Sequence, residues 1–309
     1  MSVILVIKNV EKRLGKNIVL KNVNMNIQKG SISGLIGKSG SGKTTLMRNI
    51  IGFYKPDKGN IYVNDKEVSK NKNEIRKNVG FTTQEGCFYE ELSVKDNLEY
   101  FGRMYGLKKE SIKMKSQALL NLVRLNDNLN TKAGSLSGGM KRRLDIAISL
   151  MHGPELLIMD EPTTGLDYIT RKAIWDLIKR IKAVGVTVLI SSHLLDEIDY
   201  LCDDVFIMKN GSILVNGSPS KLKSFYSRFI RVQIKLKYPE YKQFFEELKK
   251  TGIETKQITK MSDKVRFYIE DIEVFLKNLQ NVLLITKNGL QELNIETPDL
   301  NEVFEEFAK

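Results

Sequence analysis

The sequence predicts an α/β fold in which a mixed sheet is flanked by helices and carries a helical insert, followed by a small α+β domain. Three observations carry this. Through about residue 220 the chain alternates apolar strand-like runs with helix-like segments, the rhythm of a parallel or mixed sheet covered by helices. A glycine-rich loop at 37 to 44 joins one such strand to one such helix. The charge balance then changes: residues 1 to 221 carry 34 basic and 23 acidic side chains, whereas residues 222 to 309 carry 15 and 14. The 309 residues are thus expected to form a domain over 1–221, with a helical subdomain at about 86–152, and an accessory domain over 222–309.

Taken in order, Val3 to Val10 reads as a strand, with no basic stretch before it and no small-residue cleavage site after it. Ser31 to Ile36 is the next strand. It runs into GKSGSGKT, and TTLMRNII after it is helical, so the phosphate-loop pattern stands in the strand–loop–helix context it requires. Gly37, Gly40 and Gly42 let the backbone curl with its N–H groups inward, and a helix starting at Lys43 adds the positive end of its dipole. Lys38, Ser39, Ser41 and Thr45 complete this cradle for a triphosphate. Lys43 is expected to reach the β- and γ-phosphates, and the Thr44 hydroxyl to hold Mg²⁺.

Val79 to Thr83 is a further strand, followed by Gln84. From Glu91 to His152 the apolar residues fall at helical spacing, Leu98, Phe101 and Tyr105 and again Leu119, Leu122 and Val123. LLIMDEP at 156 to 162 is an apolar strand with Asp160 and Glu161 at its C-terminal tip, beside the phosphate loop. Asp160 suits a metal's coordination shell, and Glu161 suits polarising an attacking water. Val186 to Ser191 leads to His193, and Val205 to Met208 is another strand. The turn residues Asn216, Gly217, Ser218 and Pro219 then punctuate the chain. Beyond them the pattern is about two small strand–helix–strand units ending in a polar helix, Asp299 to Ala308. Read alone, several of these residues have plainer alternatives: a turn glutamine at 84, a helix-capping aspartate at 167, a core histidine at 193. His152, in a loop, is expected to be solvated.

The composition narrows the classes. With 41% hydrophobic and 28% charged residues the chain is ordinary globular, and no apolar run approaches the roughly 18 residues that span a bilayer. Cys87 and Cys202 stand far apart without metal-ligand partners, so the sequence suggests neither a disulfide framework nor a zinc site, and a reducing cytoplasm is the expected compartment. The net charge of +12 is scattered, densest at Lys141 to Arg143, and not interleaved with aromatics in the manner of a base-stacking groove. No nucleic-acid partner is therefore expected.

GKSGSGKT, FTTQEG, LSGGMKRR at 136 to 143, LLIMDEP, TTGLD and VTVLISSH, in that order, resemble the motif set of ABC-type ATPases over residues 3 to about 222. The segment after GLD and the ending TPDLNEVFEEFAK are similar to the drug-, antibiotic- and ion-exporter branch, whose permease is a separate chain. The resemblance implies ATP and Mg²⁺ as cofactors and a head-to-tail pair of ATPase subunits, most simply a homodimer. In that pair Ser137, Gly138 and Gly139 bind the γ-phosphate held by the opposite subunit, and Asp167 spans the interface. It implies that Gln84 touches Mg²⁺ or the lytic water and relays the nucleotide state to an integral-membrane permease, while His193 contacts the γ-phosphate and orients the water. The implied location is cytoplasmic, peripheral on the inner face of the cell membrane. A competing class, a soluble ATPase of this type acting on nucleic acid or ribosomes, has only the basic charge in its favour. The chain departs from the pattern at Leu14, where KRLGKNIVL lacks the usual adenine-stacking aromatic, and at Tyr168, where a proline is usual.

Overall fold

The structure, a computed structural model, describes residues 2–226 and 230–296. Strands β1 (Val3–Leu14) and β2 (Asn17–Gln28) form an antiparallel hairpin whose turn contains Gly15 at φ 59°. In β2 the buried Val23, Met25 and Ile27 alternate with exposed Asn22, Asn24 and Asn26, the two-residue period of a strand with one wet face. After β3 (Ile32–Ile36) and helix α1 (Lys43–Ile50), strands β4 (Lys58–Val63) and β5 (Lys66–Glu67) return to the hairpin. They complete a four-stranded antiparallel sheet in the order β2-β1-β4-β5.

The second sheet is built from what lies between. Helix α2 (Lys72–Asn78) leads into β6 (Val79–Thr82), and the helical part follows as α3 (Val94–Met104), α4 (Lys109–Val123) and α5 (Gly138–Leu150). Then come β7 (Leu156–Asp160), α6 (Tyr168–Ala183), β8 (Thr187–Ser192), α7 (Leu195–Leu201), β9 (Asp204–Lys209) and β10 (Ser212–Gly217). The order is β10-β9-β3-β8-β7-β6, parallel except for β10 at the edge. β3, β7 and β8 are buried along their whole length, because a central parallel strand has both faces covered. Apolar residues of α1 and of both sheets share one core, including Leu35, Leu46, Ile7, Ile158 and Leu189.

The six strands expected from sequence are present, most with ends shifted by one or two residues, while β1 runs on to Leu14. Two expectations are corrected. Asn216 and Gly217 are not turn residues but the end of β10, paired with Phe206 and Val205. His152 is not freely solvated: it is half-buried, stacks on Tyr105 with ring centroids 4.2 Å apart, and meets the Val79 carbonyl through Nε2 at 3.2 Å. Burial lowers its pKa.

The chain divides into two compact units between Pro219 and Ser220, where α8 (Pro219–Tyr226) begins. The second unit runs β11 (Ile230–Leu236), α9 (Tyr241–Lys250), β12 (Lys256–Lys260), β13 (Val265–Ile269), α10 (Ile272–Ile285) and β14 (Leu290–Glu296). Its antiparallel sheet has the order β12-β13-β11-β14, so each strand–helix–strand unit is split by a strand of the other. Val232, Ile234, Phe244, Phe267 and Phe275 fill the space between sheet and helices. The polar helix expected over Asp299 to Ala308 lies outside the described residues.

Candidate nucleotide site

Parallel strands bring their C-terminal ends to one edge, and four of those ends make the site. Ile36 pairs with Ser192, Asp160 with Ser191, and Thr82 with Met159, so the loops after β3, β6, β7 and β8 open side by side. These loops carry Gly37 to Gly42, Gln84, Glu161 and His193.

The first loop has no room for side chains where it turns. A Cβ on Gly37 would stand 2.4 Å from Ser41 Oγ and 2.6 Å from the Met208 carbonyl, and Gly42 sits at φ 108°. Lys38, Ser39 and Gly40 are exposed at the mouth, and Gly40 has open space around it. Helix α1 starts at Lys43 with no side-chain cap, which leaves its first N–H groups free for an anion. Ser41 Oγ is buried without a partner. The Lys43 ammonium bends back to the Gly37 carbonyl at 2.7 Å, and burial pulls its pKa down against the opposing pull of Glu161 and Asp160. A loop that excludes Cβ atoms, an orphaned hydroxyl, free N–H groups and a buried cation together fit a polyphosphate.

Around this cradle the carboxylates are held tightly. Thr44 Oγ1 donates to Asp160 Oδ2 at 2.8 Å, and Ser191 Oγ donates to Asp160 Oδ1 at 2.5 Å. Glu161 lies in the left-handed region at φ 48°, a conformation that costs a non-glycine residue about 1–2 kcal/mol. Both of its peptide groups are anchored there: its N–H donates to Ser191 Oγ at 2.9 Å, and its carbonyl accepts from Arg142 Nη2 at 2.8 Å. Its Oε2 accepts from Thr164 Oγ1 at 3.0 Å and lies 3.4 Å from His193 Nδ1. The half-buried Glu161 and exposed His193 therefore form a pair at the open edge.

Gln84 is exposed, and it lines a groove with Glu85, Gly86, Gly138, Thr164 and Leu166. The structure thus sets Gln84 beside the signature segment. Ser137 caps α5, accepting from the Met140 N–H at 3.4 Å, and remains exposed with Gly138. Gly139 is buried, since a Cβ there would stand 2.3 Å from Thr170 Cγ2 on α6. Asp167 caps α6, which begins at Tyr168 without the usual proline. It accepts from the Thr170 N–H at 3.0 Å and hydroxyl at 2.6 Å, and these bonds hold its pKa low. The helix-cap reading of Asp167 is therefore true within one chain, and Ser137 is a helix cap as well.

Sequence reading missed the residues that position the others. Ser191 bridges Asp160 and Glu161, and only the strand register shows it. Glu197 is a buried carboxylate that accepts from Thr163 Oγ1 at 2.9 Å and Trp175 Nε1 at 2.8 Å; burial raises its pKa. Arg142 was legible only as part of a basic run, yet it is buried beneath Glu161.

The sequence profile described as ABC transporter matches residues 20–164. The chain is 36% identical over 217 residues to the linearmycin resistance ATP-binding protein LnrL of Bacillus subtilis, covering 70% of each chain. It is 39% identical over 211 residues, 68% of its own length, to ATP-binding cassette sub-family A member 17 of the mouse, and spans only 12% of that protein. Among solved structures, cbiO1 of Clostridium perfringens, part of an ABC transporter complex, superposes with a TM-score of 0.68 at 28% identity over 72% of this chain and 92% of that one. Phosphate loop, strand-end carboxylates and signature helix thus occur together in a chain that belongs to the ABC transporter family, as one of its ATP-binding proteins.

Proposed function

We propose that the protein hydrolyses Mg·ATP as one of two identical subunits and that their closure drives export through a separate integral-membrane permease. The observation that carries the reading is the Thr44–Asp160 hydrogen bond at 2.8 Å with the Glu161–His193 pair beside it, all at the free N-terminus of α1. Hydroxyl and carboxylate are the oxygen ligands Mg²⁺ takes alongside phosphate and water, so Thr44 and Asp160 would hold it. Bound there, the ion would neutralise charge on the β- and γ-phosphates.

The chain's own residues do the rest. The N–H groups of the loop and of α1 bind the phosphates, and Lys43 supplies a compensating charge. Glu161 Oε2 accepts a proton from the attacking water, and His193 holds that water and the γ-phosphate in line. Ser137 and Gly138 are exposed on a helix N-terminus, free to meet a phosphate presented by a second copy. Gln84 lines this groove, and the chain that follows it into α3 exposes Tyr89, Tyr100, Met104 and Tyr105 for a permease. Export is supported by a further relative, Nod factor export ATP-binding protein I of Rhizobium sp. (strain N33), 37% identical over 213 residues.

Glu161→Gln tests this. The variant should keep its ATP affinity, lose roughly a hundred- to ten-thousand-fold in turnover, and elute as a dimer in ATP. Wild-type turnover would overturn the assignment.

A further inference from the structure

Helix α5 carries, one turn apart, two buried residues of opposite charge, Arg142 at 9% and Asp145 at 2% exposure, with Nη1 and Oδ2 3.5 Å apart. Both also line the groove that holds Gln84 and Gly138. The guanidinium spreads over three carbonyls: Nε donates to Pro162 O at 2.6 Å, Nη2 to Glu161 O at 2.8 Å and Nη1 to Thr83 O at 2.6 Å. The carboxylate accepts the Cys87 N–H on Oδ1 at 2.8 Å. Thr83 and Cys87 bracket Gln84, so both ends of the Gln84 loop are tied to α5. The same fork that ties one of them also ties Glu161 and Pro162.

We infer that the Arg142–Asp145 pair is a positioning joint that locks Glu161 in its left-handed backbone conformation and makes that lock depend on where the Gln84 loop lies. The inference rests on the reading of Glu161 as base and Gln84 as the relay. Its physical basis is rigidity. A planar fork with five fixed donors can satisfy three carbonyls only in one arrangement of their backbones. A buried guanidinium left with an unmet N–H is expensive, so displacing the Thr83 carbonyl must either drag the fork or leave an N–H unmet. The cost of an unmet N–H favours dragging the fork, and that moves the Glu161 carbonyl and with it the carboxylate. The direction of coupling runs both ways for the same reason, from a partner pressing on 84–86 to Glu161 and from Glu161 back to the loop.

The test uses the full chain. Arg142→Lys keeps the charge but replaces the fork by a point donor, and Asp145→Asn keeps an acceptor for the Cys87 N–H while removing the charge opposite Arg142. Arg142→Lys should lose about a hundredfold in kcat, the scale of a small misplacement of a catalytic group, with KM for ATP within about twofold of wild type. Asp145→Asn should lose about tenfold with the same unchanged KM. Gln84→Ala should lower turnover in the wild-type background and add nothing further in the Arg142→Lys background, because both act through one joint. If Arg142→Lys does not fold, as judged by its melting transition and ATP affinity, Asp145→Asn and its double variant with Gln84→Ala decide the matter alone. Wild-type kcat in the folded variants, a rise in KM without a fall in kcat, or additive double variants would overturn the joint. Glu161→Gln, assayed beside them, separates the two levels. Normal turnover there removes the reading of Glu161 on which the joint rests, whereas an inactive Glu161→Gln beside a fully active Arg142→Lys removes the joint alone.

Discussion

Burial lifts the Asp145 carboxyl from an ordinary 3.8 to about 6, with Arg142 and the Cys87 N–H pulling the other way. The folded value lies above the unfolded one, so its contribution to stability is fully present below about pH 4 and is lost as pH rises through about 6. Asp145→Asn removes that titration. The stability difference between wild type and variant should therefore move toward the wild type by about 2 kcal/mol between pH 7.5 and pH 4.5, measured by urea unfolding at both values. A difference that does not change with pH would mean that Asp145 is not buried as described. At the base end of the site a second residue makes a prediction. Leu14 and Ile18, 36% and 43% exposed, flank the β1–β2 turn, while a Cβ on Gly42 would stand 3.1 Å from the Val19 carbonyl, so the hairpin borders the phosphate loop. An aromatic stack adds about 1–3 kcal/mol per base, and two aliphatic side chains recover only part of it. ATP and GTP should accordingly bind within about tenfold of each other, about 1.4 kcal/mol, in fluorescence titration. A much larger preference for adenine would show that a side chain elsewhere grips the base.

At the scale of elements, the packing of α5 against α6 gives Gly139 a reason independent of nucleotide. Gly139→Ala would drive its Cβ into Thr170 Cγ2, 2.3 Å away, and should destabilise the chain by roughly 1–3 kcal/mol. Thr170→Ser deletes that methyl but keeps the hydroxyl bonded to Asp167, so the double variant should recover most of the loss in urea unfolding. A double variant as unstable as the single one would show that the clash is not the cause. How much of the fold was legible follows the same physics. β3, β7 and β8 announce themselves as mainly apolar runs without the alternation of a one-sided strand, because both faces are buried, and the glycine loop and LLIMDEP mark the ends of two of them. β2 is harder to see, since its alternating Val23, Met25 and Ile27 are separated by asparagines, which favour turns over strands. Within the site, residues next to one another in sequence were readable, while Ser191, Arg142 and Glu197 were not. Their roles depend on which strands lie side by side and on which helix passes beneath, and no local spacing encodes that.

At the scale of the whole molecule, the basic surplus and the proposed permease partner raise one question: what would hold such a chain at a membrane. No helix among the described residues is long and apolar enough to cross one. The net charge of +12 lies almost wholly in residues 1 to 221, scattered along that part, and many of its lysines and arginines are already paired, as in Lys12–Asp57, Lys29–Glu155, Lys141–Glu90 and Lys182–Asp203. Paired charges present little net field to anionic lipid, and what remains is screened: at about 1 M salt the Debye length falls to about 3 Å. An electrostatic tether should wash off under those conditions, whereas a packed apolar interface persists because high salt does not weaken hydrophobic burial. In the proposed assembly the exposed Tyr89, Tyr100, Met104 and Tyr105 on and beside α3 would supply such an interface. The protein expressed alone should therefore be recovered in the soluble fraction, and co-expressed with its permease it should stay on membranes through a 1 M salt wash, scaled by that about 3 Å screening length. Replacing Met104 and Tyr100 with Glu should release it while leaving ATP binding unchanged. Salt-resistant binding to protein-free anionic vesicles would instead assign the attachment to lipid, and selective retention on ribosomes or DNA would move the protein to the class of soluble ATPases.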